Sequence, residues 1–192
     1  GTRNKLASVE AALTLANIGL LEQEPLEGHF DFAHYRAIHK FLFGELYEWA
    51  GEIRTVNLSK KGTQFVPADE IEQVGNANFD RLAEMNFFRN EGFDAFVEHI
   101  TEFYCDTNRL HPFREGNGRT QRVFLTQLIR QAGYDIEFGN MDMEELMIHD
   151  PRSQRCHGLS RENLQRYHKI KVTFFIDRQA NCACLFSIYI KM

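Results

Sequence analysis

Residues 111–122, His-Pro-Phe-Arg-Glu-Gly-Asn-Gly-Arg-Thr-Gln-Arg, place several groups that can act on a phosphate in one short run. The two glycines allow backbone amides to approach a ligand closely, and amides at the start of a helix bind phosphate well. Arg119 and Arg122 lie three residues apart and share one helix face, from which their guanidinium groups can reach the same anion. The run therefore predicts a nucleotide-phosphate site made by Gly116, Asn117, Gly118, Arg119 and Arg122.

Two further side chains of the run could act on the bound phosphate. Glu115 is its only acid, and Mg²⁺ is usually held by one or two carboxylates together with substrate phosphates. His111 has the side chain best suited near neutral pH to take a proton from a hydroxyl. Phe113 alternates with these polar groups and is expected to anchor the loop in the core. The indicated chemistry is phosphate-centred transfer, driven by positioning and charge neutralisation.

Each of these residues also has an ordinary structural explanation. A histidine after a helix is usually a cap or a surface residue, and two arginines can form a solvated helix face. An acid near a helix N-terminus is favoured by the helix dipole alone. The ordered combination favours the phosphate site, although neither the P-loop signature nor a kinase-type His-Arg-Asp loop is present.

The elements that must position this run are mostly helices. The spacing of apolar residues predicts helices over residues 6–22, 31–49, 67–86, 93–110 and 117–132, and the start of another at 142–148. Alternation over residues 53–58 and 63–66, around a turn at 59–62, predicts a β-hairpin. The scattered His29, His34, His39 and His99 are expected to be structural or exposed. The sequence thus predicts one mainly α domain with a hairpin.

Composition limits the class of protein further. The 192 residues are 43% hydrophobic and 26% charged, which is ordinary for a globular domain with a core. A net charge of −5 argues against a general nucleic-acid binder, and no apolar run is long enough to span a membrane. The cysteines, Cys105, Cys156, Cys182 and Cys184, fit neither a zinc site nor a disulfide framework. We expect a cytoplasmic protein, with delivery to another cell left open, and no direct nucleic-acid or membrane partner.

The run resembles the Fic-domain signature, His-x-Phe-x-Asp/Glu-Gly/Ala-Asn-Gly/Lys-Arg-x-x-Arg, at every fixed position. Residues 4–6, 46–54 and 65–71 are also similar to Fic proteins, so the resemblance covers about residues 4–148. It implies an all-α Fic fold, a helical bundle with a small β-hairpin flap. It also implies a protein adenylyltransferase that uses ATP and Mg²⁺ to transfer AMP to a Ser, Thr or Tyr hydroxyl of a target protein.

The resemblance also implies a role for each motif residue. His111 would be the base that deprotonates the target hydroxyl, and Glu115 would bind Mg²⁺ between the α- and β-phosphates. Gly116, Asn117 and Gly118 would form the anion-binding nest. Arg119 would hold the β-phosphate and Arg122 the γ-phosphate.

A second implied site is the flap, which consists of Gly62, Thr63, Gln64 and Phe65. It would align a segment of the target protein by strand addition. An ordinary hairpin is the alternative.

Gly118 bears on the type of reaction. Family members of the Doc type carry lysine at this position and can use the nucleotide in reverse to phosphorylate, so Gly118 favours AMP transfer. Two alternatives stay open. The chain could transfer phosphate, another nucleotide or phosphocholine, or it could be a toxin–antitoxin interaction module with weak or no turnover.

Many family members are restrained by an inhibitory helix with the pattern Ser/Thr-x-x-x-Glu-Gly/Asn. Its glutamate pairs with the second motif arginine, here Arg122. The pattern does not occur in this sequence. We therefore expect restraint from a separate antitoxin-like partner, from a part of the protein outside this sequence, or from sequence that has been lost.

Residues 149–192 differ from the rest of the chain. Helical periodicity ends at Ile148, Pro151 would break a helix, and residues 172–176 and 184–190 look like strands. Because a reading frame shifted by one nucleotide permits an amphipathic helical ending, we hypothesise a frame-shifted tail from about residue 149. The alternative is a divergent native C-terminus that adds a β-hairpin. The predicted division is a Fic domain over 1–148 and an atypical tail over 149–192.

Overall fold

The structure is a computed structural model that describes residues 2–60, 63–138, 170–173 and 187–191. Within them lie five α-helices: α1 (Thr2–Gln23), α2 (Phe32–Phe43), α3 (Ile71–Glu84), α4 (Phe93–Leu110) and α5 (Asn117–Gln131). A short 3-10 helix, Asn86–Phe88, precedes α4. The mainly helical fold class is confirmed, and no helix of the described part is both long and apolar enough to cross a membrane.

Two small antiparallel sheets complete the described part of the chain. The hairpin consists of β1 (Ser59–Lys60) and β2 (Thr63–Gln64), with Ser59 opposite Gln64. The second sheet has the order β3-β5-β4 and consists of β3 (Asp135–Phe138), β4 (Ile170–Thr173) and β5 (Ser187–Lys191). A hairpin is therefore present, but its predicted bounds are wrong on the first side. Strand β1 lies at Ser59–Lys60, within the predicted turn, and residues 53–58 form no strand.

Aromatic side chains hold the helices together around α2 and α5. Phe124 of α5 meets Tyr35 of α2 and Phe79 of α3 edge-on, each at 5.4 Å between ring centroids. The predicted core positions of α5 are all buried, namely Val123, Phe124, Leu128 and Ile129. This core fixes α5, whose first residues belong to the motif run.

Helix α1 crosses the bundle next to α2. The amide of Asn17 donates hydrogen bonds to the carbonyl oxygens of Phe41 (3.4 Å) and Leu42 (3.3 Å). Thr14 and Leu21 are buried on the same side. This packing brings Glu10 of α1 to the region where α5 begins.

The predicted helix over residues 31–49 is wrong in its last third. Helix α2 ends at Phe43, with Gly44 as its C-cap, and residues 44–51 form turns. The backbone N–H groups of Leu46 and Tyr47 both bond the carbonyl of Phe43 at 2.9 Å. Apolar spacing continues past Gly44 because Leu46 and Tyr47 pack against the core from these turns, so periodicity alone could not locate the helix end.

The other helix bounds differ less. Helix α3 begins at Ile71 and not at Pro67, because residues 68–70 form a turn in which Glu70 N–H bonds the carbonyl of Pro67 at 3.0 Å. Helix α4 matches the predicted bounds, and α5 ends one residue early with Ala132 as its cap. His34 and His39 are buried and hydrogen-bonded, which confirms their structural character.

Strand β3 was not predicted, whereas β4 and β5 overlap the two strand-like stretches of the tail. Strand β5 lies between β3 and β4, and in the strand register Ile190 is opposite Ile136 of β3 and Ile170 of β4. The predicted helix at 142–148 and the proposed frame-shift point near residue 149 lie outside the described residues. Cys156, Cys182 and Cys184 lie outside them too.

Candidate active site

Residues 111–116 form the motif loop, which joins the end of α4 to the start of α5. Both of its end residues have left-handed backbone conformations. His111 is the C-cap of α4 with φ 43° and ψ 59°, and Gly116 is the N-cap of α5 with φ 79°. A non-glycine residue held in this region costs about 1–3 kcal/mol, so the surroundings of His111 must enforce its conformation.

Gly116 is required at its position for two reasons. Its positive φ favours glycine, and a Cβ atom placed there would overlap the ring of Phe43. Its carbonyl accepts from both the N–H and the hydroxyl of Thr120, at 3.0 and 3.1 Å. The loop therefore enters α5 with its backbone pressed against α2.

Phe113 and Asn117 close the motif loop on itself. The side-chain amide of Asn117 donates to the carbonyl of Phe113 at 2.8 Å and accepts from its N–H at 2.9 Å. The Phe113 ring is fully buried and stacks on Tyr35 and His39, with centroids 5.7 and 3.8 Å away. Phe113 thus lies in the core as predicted. The Asn117 side chain thus holds the loop, and the backbone N–H of the same residue lies at the start of α5.

His39 supports the other half of the loop from α2. Its Nε2 lies 3.0 Å from the carbonyl of Glu115, and its Nδ1 accepts from Gly51 N–H at 2.8 Å. Burial lowers the pKa of His39 to about 4. The ring is therefore neutral near pH 7, with Nε2–H donating to Glu115 and Nδ1 free of a proton.

The imidazole of His111 lies under the flap. The Phe65 ring stacks on it with centroids 3.8 Å apart and planes 10° apart. Its Nδ1 is buried and has no hydrogen-bond partner among the described residues. Burial above all, and then the nearby Arg54 and Lys60, lower the pKa of His111 to about 4, against the opposing effect of a hydrogen bond to the Asn108 backbone. At neutral pH His111 is therefore unprotonated, as a base must be.

Arg119 lies within an ion-pair cluster at the start of α5. Its Nη2 is 2.7 Å from Glu10 Oε1 and 3.3 Å from Glu115 Oε1, and its guanidinium lies 4.7 Å above the Phe43 ring centroid. The Glu10 carboxylate also accepts a hydrogen bond from the Tyr47 hydroxyl at 2.6 Å. This hydrogen bond lowers the pKa of Glu10, and Arg119 lowers it to a smaller extent, against the opposing effect of burial.

The remaining predicted residues surround the same loop. Arg122 is half-buried one turn along α5 from Arg119, and burial lowers the pKa of its guanidinium. Thr63 and Gln64 form β2 of the flap, whereas Gly62 lies outside the described residues. The structure thus brings the motif loop, the two arginines and Phe65 of the flap into one region.

The residues suit an Mg²⁺ ion that is shared with a nucleotide. The Glu115 side chain is 61% exposed beside the helix N-terminus, and its Oε1 also accepts from Gly116 N–H at 3.0 Å. No group of three or more His, Cys, Asp or Glu side chains in the described part could hold a metal alone. One carboxylate completed by phosphate oxygens is the donor set that Mg²⁺ commonly takes.

Three supporting residues were not identified as part of the site from the sequence. His39 lies on the buried face of a predicted amphipathic helix, which gives a weak local signal. Glu10 and Arg54 reach the loop only through tertiary packing, and no spacing in the sequence points to either contact.

The buried, neutral His39 makes the stability of the fold depend on pH. Its pKa of about 4 in the folded chain lies below its value of about 6.5 in an unfolded chain. As the pH falls below about 6.5, the unfolded chain gains a proton that the folded chain does not bind. The contribution of His39 to the unfolding free energy therefore falls by about 1.4 kcal/mol per pH unit down to about pH 4.

Chemical denaturation of the wild type and His39→Gln at several pH values measures this contribution. The stability advantage of the wild type should be largest near neutral pH and shrink as the pH falls to about 4. His29→Gln is the matched control, because His29 is exposed, and its stability at neutral pH should stay close to that of the wild type. A constant advantage of the wild type over His39→Gln would contradict the buried neutral state of His39.

Comparison with known proteins relates this site to a family. The model of the Fic/DOC family matches residues 29–129, just over half of the chain, and the match includes the whole motif loop. Among solved structures, the N-terminal Fic domain of a VirB-translocated Bep effector protein from Bartonella quintana, solved with bound ADP, superposes with a TM-score of 0.70. It is 30% identical, over 74% of this chain and 73% of that one.

Two curated relatives are similar in sequence. The protein y4lH of Sinorhizobium fredii, named a probable protein adenylyltransferase, is 41% identical over 63% of this chain and 64% of its own length. The protein adenylyltransferase VbhT of Bartonella schoenbuchensis is 37% identical over 74% of this chain and 30% of its own length. This chain therefore spans less than two thirds of either relative.

Proposed function

The chain belongs to the Fic/DOC family, and from that premise we propose that it is a protein adenylyltransferase. It would transfer AMP from ATP to a Ser, Thr or Tyr hydroxyl of a target protein. The observation that carries the proposal is the packing of an unprotonated His111, under Phe65 of the flap, beside a helix start with two arginines. The names of similar proteins and the ADP bound to a solved relative support it.

The phosphates of ATP would bind at the start of α5. The backbone amides of Asn117 and Gly118, together with that of Gly116 once it is released from Glu115 Oε1, would offer hydrogen bonds and a positive helix end. Arg119 would bind the β-phosphate, and Arg122 would bind the γ-phosphate. To do so, Arg119 would give up part of its ion pairing with Glu10 and Glu115. Mg²⁺ held by Glu115 would supply neutralisation of the phosphate charge.

The transfer itself needs one base. The target hydroxyl oxygen attacks the α-phosphorus while its proton passes to His111. The bond from the α-phosphorus to the bridging oxygen of the β-phosphate breaks, and pyrophosphate leaves. The product is AMP joined to the target through a phosphodiester. Because the nucleotide is anionic, its binding would raise the pKa of His111 from this lowered value.

The flap would present the target segment. Its short strands leave an edge that a second extended chain can pair with, and Phe65 lies directly on the His111 ring. A segment paired along Thr63 and Gln64, next to Gly62, would thus reach the base. We place the enzyme in the cytoplasm, or in a cell to which it is delivered, with a separate antitoxin-like inhibitor as its further partner.

Parallel labelling experiments separate AMP transfer from its alternatives. The chain is incubated with Mg²⁺, a cell lysate as the source of target, and ATP labelled at either the α- or the γ-phosphate. Label from the α-phosphate alone is the expected result. Label from the γ-phosphate above the level that the lysate gives without the chain would show phosphoryl transfer instead. Calorimetric binding of ATP with no label from either position would favour an interaction module.

We also propose that residues 1–148 form the catalytic unit and that residues 149–192 are an atypical tail. Every side chain assigned to the site lies between Glu10 and Arg122, and the family match ends at residue 129. The encoding DNA tests the frame-shift hypothesis. A shifted frame that is open from about residue 149 to a nearby stop supports it, and a closed one refutes it.

A further inference from the structure

Arg54 is a fully buried cation next to the motif loop, with 1% of its surface exposed. It follows the turns after α2, in the extended segment that leads to the flap. Among the described residues, its guanidinium donates hydrogen bonds to four backbone carbonyl oxygens: Nε to His111 (2.8 Å), Nη1 to Val56 (2.7 Å), and Nη2 to Val66 (2.5 Å) and Leu110 (3.5 Å). Arg54 takes no part in the proposed transfer step.

These contacts join three segments of the chain. Val56 precedes strand β1 and Val66 follows strand β2, so the two carbonyls belong to the two arms of the hairpin that carries the flap. Leu110 and His111 belong to the end of α4 and the start of the motif loop. In addition, the backbone N–H of Arg54 bonds the carbonyl of Pro112 at 2.8 Å. One planar group therefore connects both arms of the hairpin to the motif loop.

The contact with His111 coincides with the strained point of the loop. His111 has a left-handed backbone, with φ 43°, and such conformations persist only where the surroundings enforce them. The carbonyl that Arg54 Nε binds is that of His111 itself, and the Phe65 ring stacks on the His111 imidazole. Arg54 and Phe65 therefore hold the backbone and the ring of the same residue.

We propose that Arg54 is a positioning residue, which fixes His111 in register with the flap so that the base meets the hydroxyl of a segment bound there. This inference rests on the proposed function for its catalytic consequence, but the geometry that it describes does not depend on that function. A lysine cannot replace Arg54, because a single ammonium group cannot reach carbonyls that lie around a planar fork.

Arg54 also contributes to the electrostatic environment of His111. Arg54 and Lys60 are the charged groups that lower the pKa of that imidazole, alongside burial. A substitution that keeps the charge and one that removes it should therefore differ in the titration of His111. This difference separates a positioning effect from a general loss of structure.

The test uses the full chain with Arg54→Lys and Arg54→Gln, and Arg81→Gln as the control. Arg81 lies on α3, where its side chain is 55% exposed and pairs with Glu102. We expect Arg54→Lys to lower kcat for AMP transfer by about 10- to 100-fold, because small misplacements of reacting groups have effects of this size. The dissociation constant for ATP should stay within about 2-fold, since the phosphate-binding groups are untouched. Arg81→Gln should match the wild type in both.

Proton NMR of the His111 ring gives a readout that is independent of turnover. Its chemical shift should move in both Arg54 variants, and its pKa should rise in Arg54→Gln but not in Arg54→Lys. A wild-type chemical shift for His111, or a wild-type kcat, in folded Arg54→Lys would overturn the inference. If the wild type transfers no AMP, the proposed function fails while the NMR result still decides the role of Arg54.

A measurement on the wild type covers the case in which both variants unfold. Hydrogen exchange of the Arg54 Nε–H should be slow, as for backbone amides of the core, because the group is buried and bonded to His111. The exposed Arg81 side chain gives the fast reference. Exchange of Arg54 at the rate of Arg81 would overturn the inference.

Discussion

Replacing His111 with alanine is expected to lower the rate of AMP transfer by a factor of about 10²–10⁴, the usual contribution of a general base. The imidazole is unprotonated at neutral pH and lies where the flap meets the motif loop. Removing it leaves the target hydroxyl without a proton acceptor. The phosphate-binding groups on α5 stay in place, so the variant should bind ATP as the wild type does.

His99→Ala is the matched control for this substitution. His99 belongs to α4 but lies away from the motif loop, and its Nδ1 is 2.8 Å from the carboxylate of Glu91. The His99→Ala variant should transfer AMP at the wild-type rate. A His111→Ala chain that binds ATP and retains full transfer would show that another group accepts the proton.

Replacing Phe113 with alanine is expected to destabilise the fold by about 3–5 kcal/mol, the cost of emptying a fully buried phenylalanine site. The lost ring stacks on Tyr35 and His39, so the cavity opens between α2 and the motif loop. Since a folded domain is stable by only about 5–15 kcal/mol in total, the loss is a large fraction of that free energy. The measurement is urea denaturation, followed by circular dichroism.

Phe41→Ala provides the comparison, because Phe41 is 39% exposed on the same helix as Tyr35 and His39. The loss in unfolding free energy for Phe41→Ala should be well below the loss for Phe113→Ala. Transfer activity should fall as well in Phe113→Ala at temperatures where the chain stays folded, because the loop loses its anchor. Equal losses of stability for the two phenylalanines would contradict the anchoring role of Phe113.

The motif loop and its flanking helices could be predicted from the sequence because their signals are local. Gly116 marks the start of α5 through a backbone conformation that favours glycine, and an apolar stripe marks α4 up to Leu110. Phe113 was correctly placed in the core from its alternation with polar residues. In each case, the information lies within a few residues of the feature that it determines.

The end of α2 could not be predicted in this way. Leu46 and Tyr47 continue the apolar spacing of the helix, although they pack from turns that follow Gly44. Strand β3 was missed because its partner, β5, lies about fifty residues further along the chain, and its pairing is what defines the strand.

The residues that support the site reach it through packing between segments that are distant in the sequence. Glu10 reaches Arg119 only because α1 packs on α2, and Arg54 reaches His111 only because the hairpin folds back over the loop. A sequence motif identifies the groups that would touch ATP. The residues that hold those groups in place appear only with the tertiary structure.

The most direct test is to identify the chemical group that the chain attaches to its target. Wild-type chain, ATP and Mg²⁺ are incubated with a cell lysate, and modified peptides are analysed by mass spectrometry with His111→Ala in parallel. The predicted result is an adenylyl group on a Ser, Thr or Tyr hydroxyl, formed by the wild type and absent with His111→Ala. A phosphoryl group in its place, or the same adenylylated peptide in equal yield from His111→Ala, would contradict adenylyl transfer with His111 as its base.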